Sequence, residues 1–143
     1  MLYPALSQMG QMNSKADNTV FVVDDDPGVL KALCRLLKAE GYKAAGFRSA
    51  PDFLEQYDPG APGCVLADIS MPGMTGPELQ RFLEASRGSL PIIFLTGHDE
   101  IRERVHGITE HRANILRKPV TAALLFKSIE EALGRQVPEK NAK

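Results

Sequence analysis

The sequence has no tryptophan, only two cysteines and no excess of either charge: 17 Lys and Arg stand against 18 Asp and Glu, a formal net charge of -1 over 143 residues. That balance argues against direct nucleic-acid binding by this chain, which would call for a strong basic excess on one face. Long apolar runs are also missing. They reach only about five residues, against the roughly 20 needed to cross a bilayer, so no membrane span and no membrane partner are expected. The N-terminus, MLYPALSQMGQMNSKADN, has no positive side chain before Lys15 and no sustained apolar block, so it does not read as a secretory signal and the expected compartment is the cytoplasm. Cys34 and Cys64 show neither CxxC spacing nor a His at a metal-ligand interval, and both read as small buried hydrophobes.

What is present suits one ordinary domain: 43% of residues are hydrophobic and 24% charged. A chain of this length buries roughly 68–70% of its extended surface, enough for one full core without staples. Residues 1–17 mix Gly, Ser, Gln, Asn and Met without period and read as a flexible tail, with the folded domain at 18–134 and a tail or linker at 135–143. Strand-length apolar runs recur at 19–23, 43–47, 64–67, 91–95 and 113–117.

Helical spacing fills the gaps. Asp26-Pro27 supplies an N-cap and first helical residue, Val29, Leu30, Leu33, Leu36 and Leu37 form the apolar stripe, and Gly41 ends it. Further helices are expected over 51–56, with Ser49 or Ala50 at the start, and over 76–86. Another is expected over 99–110, weakened by Gly107 at roughly 1 kcal/mol relative to Ala. The last covers 121–133, with Leu125, Ile129 and Leu133 inward and Gly134 closing it. Five strands alternating with five helices predict an α/β fold, a doubly wound parallel sheet covered on both faces.

In such sheets functional groups gather at the carboxyl ends of the strands, so the residue after each apolar run matters most. The first run ends in Asp24-Asp25-Asp26, the third in Asp68, the fourth in Thr96 and the fifth in Lys118-Pro119. Asp26 is explained as a cap. Asp24, Asp25 and Asp68 are not, and two unit charges 4 Å apart repel by about 4 kcal/mol at an effective dielectric of 20, so the three need a cation. Lys118 supplies one charge. Hard carboxylate oxygens without His or Cys select Mg²⁺, or Mn²⁺, which points to metal-assisted phosphoryl chemistry with a carboxylate nucleophile.

The segments VFVVDDDPGVLKAL, VLADISMPGMTGPEL, PIIFLTGHDE and RKP resemble the receiver domain of bacterial two-component response regulators across 19–134. The resemblance implies a flavodoxin-like sheet of order 2-1-3-4-5, with Asp68 as phosphoacceptor. It implies that Asp25 and Asp68 touch Mg²⁺ directly, that Ser70 adds its backbone carbonyl, and that Asp24 acts through a water. It makes Thr96 and Lys118 the groups that hold the phosphoryl oxygens, and the Lys118-Pro119 bond cis. The string LTGHDE is most similar to a subfamily often joined to a helix-turn-helix output domain. Implied partners are a sensor histidine kinase or a phosphotransfer protein, with a homodimer through the fourth helix, fifth strand and fifth helix.

Two positions depart from the family pattern. Ile115 stands where many receivers carry an aromatic ring, and Glu110-His111-Arg112 where the family has a small Ala-Gly-Ala stretch. Both motivate an alternative reading: a constitutive interaction module or phosphate sink with little switching. A phosphatase with an Asp nucleophile typically has a second Asp two residues on, where this chain has Ser70, and three carboxylates after the first strand would repel a flavin phosphate. His98, His106 and His111 match no zinc-ligand spacing, although His98, two residues after Thr96, sits where the resemblance implies an influence on phosphoryl lifetime. Nine residues follow Gly134, too few for an output domain, so a stand-alone receiver or one cut at its linker is expected.

Overall fold

Alternate residues of each apolar run point to opposite faces of the sheet, and both faces are buried. In the computed structural model, which describes residues 15–58, 60–71, 73–85, 90–97 and 114–141, the strands are β1 (Thr19–Val23), β2 (Lys43–Phe47), β3 (Gly63–Asp68), β4 (Ile92–Thr96) and β5 (Asn114–Arg117). They pair in parallel in the order β2-β1-β3-β4-β5, as the family resemblance implies. Phe21, Val23, Val65, Ala67 and Phe94 face one core, and Val20, Val22, Cys64, Leu66, Ile93 and Leu95 the other.

Among the described residues, four α-helices cover these faces: α1 (Pro27–Glu40), α2 (Ala50–Gln56), α3 (Gly76–Ala85) and α4 (Ala122–Asn141). Phe53 of α2 and Leu79 and Leu83 of α3 enter the first core; Leu37 of α1 and Leu125, Ile129 and Leu133 of α4 enter the second. The helix expected over 99–110 lies outside the described residues. Asp26 caps α1, its carboxylate accepting from the amides of Gly28 and Val29. Gly41 terminates α1 at φ 108°, a left-handed conformation that an L side chain resists. Ser49 caps α2.

Two expectations need correction. Gly134 does not close the last helix, which continues to Asn141. A glycine ends a helix when it turns left-handed, and Gly134 is not among the positive-φ glycines, so it is an interior position with a propensity cost of about 1 kcal/mol. Leu36 is 37% exposed because the helical period carries it to one side of the α1 stripe, while half-buried Cys34, on the other side, packs against the second core. Lys15–Asp17, just before β1, forms a 3-10 turn, with Lys15 Nζ 2.8 Å from Glu40 Oε2 and 5.6 Å from the centroid of the Tyr42 ring.

Candidate functional site

Hydrogen bonds past the strand ends hold the carboxyl edge of the sheet in place. The Asp24 amide donates to Phe47 O (3.0 Å), that of Ile69 to Leu95 O (3.1 Å), and that of Lys118 to Thr96 O (2.8 Å). These bonds carry the parallel ladder beyond the apolar runs, so the polar residue ending each run arrives at one edge.

There Asp24, Asp25 and Asp68 meet, each with a carboxylate oxygen within 4.8 Å of the others. Asp24 is only 2% exposed. Its Oδ1 accepts the Asp26 amide at 2.9 Å, while the buried Oδ2 has no hydrogen-bond partner among the described residues. Burial pushes the Asp24 carboxyl above its ordinary pKa; the Asp26 amide and Lys118 pull the other way, and Asp25 and Asp26 add repulsion. Asp25 is exposed and Asp68 half-buried. Lys118 Nζ reaches to 3.7 Å from Asp68 Oδ2, a salt bridge that offsets one of three negative charges.

A hard divalent cation fits this donor set. An orphaned, buried carboxylate oxygen costs free energy unless something positive meets it, and three close carboxylates favour Mg²⁺ over softer metals. The Ser70 amide points back to Asp68 Oδ1 at 3.4 Å, and Ser70 is half-buried. Thr96 ends β4 one step past Leu95, the register partner of Asp68. It is fully buried, and its hydroxyl donates to Gly97 O at 3.2 Å. The Lys118-Pro119 bond is cis, as expected. Ile115 is half-buried beside Phe94, its register partner on β4. His98, His106, Glu110, His111 and Arg112 lie outside the described residues.

Sequence reasoning passed over the start of α3. Thr75 Oγ1 accepts the Glu78 amide at 3.3 Å and Glu78 Oε1 accepts the Thr75 amide at 2.9 Å, a reciprocal capping box. The Thr-x-x-Glu spacing was the signal.

Comparisons with known proteins agree with this geometry. Residues 20–130 match the response regulator receiver domain family. Response regulator protein TodT of Pseudomonas putida is 34% identical over 131 residues, covering 92% of this chain and 57% of that protein. Transcriptional regulatory protein FixJ of Azorhizobium caulinodans is 32% identical over 120 residues, covering 84% and 57%. The chain thus spans just over half the length of these curated relatives. Among solved structures, response regulator StyR superposes with a TM-score of 0.79 at 38% identity, covering 89% of this chain and 64% of that one. FixJ-N superposes with a TM-score of 0.76 at 30% identity, covering 82% and 94%. With a matching family over most of its length and the fold to go with it, this chain belongs to the receiver domains of the response regulators of two-component signal transduction.

Proposed function

We propose that this domain accepts a phosphoryl group on Asp68 from a phosphohistidine of a sensor histidine kinase or phosphotransfer protein, and thereby changes the surface formed by 99–110, β5 and α4. The observation that carries the reading is the meeting of Asp24, Asp25 and Asp68 with the Lys118 ammonium 3.7 Å from Asp68. The family supports it: receiver domains of response regulators are signalling proteins phosphorylated by histidine kinases, and they typically bind Mg²⁺ at an acidic pocket. The relatives' names, response regulator protein and transcriptional regulatory protein, favour a place upstream of gene regulation.

In the transfer, an Asp68 oxygen bonds to phosphorus as the bond from phosphorus to the donor imidazole nitrogen breaks, the electron pair leaving on that nitrogen. Asp24, Asp25, Asp68 and the Ser70 carbonyl would hold Mg²⁺, which supplies charge neutralisation for the phosphoryl oxygens. Lys118 neutralises a further oxygen from the β5 side. Thr96 donates to another by rotating away from Gly97 O, and that rotation couples the site to the segment beginning at Gly97. Limited self-phosphorylation and self-dephosphorylation follow from the same groups.

Intact mass after incubation with Mg²⁺ and a small phosphodonor tests the reading. One phosphoryl group should add to the wild type and none to Asp68→Asn; uptake by the variant overturns the assignment. Ile115, a β-branched side chain with few rotamers held beside Phe94, supports the second reading, a constitutive module. Hydrogen exchange with and without beryllofluoride separates the two: altered protection across 99–117 supports the switch and its homodimer or partner surface, and changes confined to the metal loops support the module.

A further inference from the structure

Gly76 is the first residue of α3, and a side chain there has no room. A Cβ built on it would lie 2.6 Å from Phe94 Cε1, 3.0 Å from Phe94 Cδ1 and 3.1 Å from Ile69 Cα. The Phe94 ring is fully buried and Ile69 Cα is backbone, so neither yields readily. The Gly76 amide donates to Ile69 O at 2.9 Å, fastening the start of α3 to the residue after Asp68. From the other side, the Thr75–Glu78 capping box fixes where α3 begins. Gly76 has no positive φ, so close approach alone demands the glycine.

We infer that Gly76 is a positioning residue for the phosphorylation site: its missing side chain lets the turn bearing Ser70 close against Phe94, which places the Ser70 carbonyl and the Asp68 carboxylate relative to Thr96. Phe94 stands two residues before Thr96 on β4, and Ile69 stands between Asp68 and Ser70. The ladder fixes how far apart β3 and β4 lie, and this contact bears on how the loop that follows the phosphoacceptor lies against the strand that bears the hydroxyl. The inference rests on the proposed function and adds a residue that touches neither metal nor phosphoryl group.

Wild type, Gly76→Ala, Phe94→Leu and the double variant should be compared by calorimetric titration with Mg²⁺ and by the rate of phosphoryl uptake from a small phosphodonor. Gly76→Ala should lower Mg²⁺ affinity and uptake each by about tenfold or more, since misplacing reacting groups by about 1 Å costs that much. Phe94→Leu removes the ring atoms that Cβ would strike, so the double variant should recover to within about threefold of Phe94→Leu alone, a non-additivity expected only of contacting residues. Loss that simply adds in the double variant, or Gly76→Ala binding Mg²⁺ as wild type does, overturns the positioning role. If Gly76→Ala does not fold, the double variant must fold and bind Mg²⁺, and its failure overturns the inference. A wild type that neither binds Mg²⁺ nor takes up a phosphoryl group overturns the functional reading itself, and this one with it.

Discussion

Lys118 Nζ lies 3.7 Å from Asp68 Oδ2, reaching across the end of β4, the strand between β3, which ends at Asp68, and β5, which Lys118 follows. Asp68 is thereby held beside a cation.

Replacing Lys118 with Met separates the two roles of that cation. Phosphoryl uptake should slow by roughly 100-fold, the usual effect of removing one preorganised partner of developing charge. Mg²⁺ should bind more tightly, because a competing positive charge has gone. Parallel mass-spectrometric rates and calorimetric titration check both signs, and weaker Mg²⁺ binding by Lys118→Met would count against the shared pocket.

Mg²⁺ should raise the melting temperature. A ligand bound only by the folded state at a hundredfold excess over its Kd stabilises by about 2.7 kcal/mol, several degrees for a domain of this size. Asp25→Ala should abolish most of the shift, since Asp25 is an exposed member of the cluster and its loss disturbs no core. Differential scanning calorimetry suits a chain with no Trp.

Asp24→Asn should do the reverse in metal-free protein. The substitution keeps an oxygen for the Asp26 amide, removes one of three crowded negative charges and replaces the orphaned oxygen with a neutral donor. Melting without Mg²⁺ should move up, and the Mg²⁺-induced shift should shrink. A metal-free variant less stable than wild type would show that the acidic cluster carries little strain.

At the far end of the second core, Tyr42 is buried with its hydroxyl unpartnered among the described residues, and burial pushes its pKa from 10.0 to about 12. Tyr42→Phe should stabilise the fold by about 1 kcal/mol by removing an unsatisfied polar group, as read from the urea midpoint.

Burial also pushes the Cys64 thiol from 9.0 to about 12. Both groups keep their protons in the folded state where the unfolded chain loses them, so stability is full below pH 9 and falls as pH rises towards 12. The slope is up to about 1.4 kcal/mol per pH unit per group. Cys64→Ala should flatten the loss between pH 9 and 10 and lessen its slope above 10, whereas Tyr42→Phe should lessen the slope above 10 alone. Parallel profiles for all three proteins would contradict the assignment.

Much of the fold was legible because its signals are local. A run such as Val20–Val23 closed by three acids, or Asp26-Pro27 before a helical stripe, states an element and its cap within a few residues. The candidate site was legible for the same reason: parallel strands present their carboxyl ends at one edge, so the residue after each run picks out Asp24, Asp25, Asp68, Thr96 and Lys118 as candidates without any distance being known.

The amino-acid sequence by itself thus determined the elements, the edge at which the acids gather and the resemblance to a receiver. Tertiary structure alone decided how far Lys118 reaches and which Asp24 oxygen is left without a partner. It also decided that Lys15 lies over Tyr42 and that Gly76 sits against Phe94, 18 positions along the chain. The physical reason is range. Capping and periodicity are set by neighbours a turn or a pleat away, whereas packing at Gly76 depends on where two separately folded strands bring a helix start and an aromatic ring, a distance that no local pattern encodes.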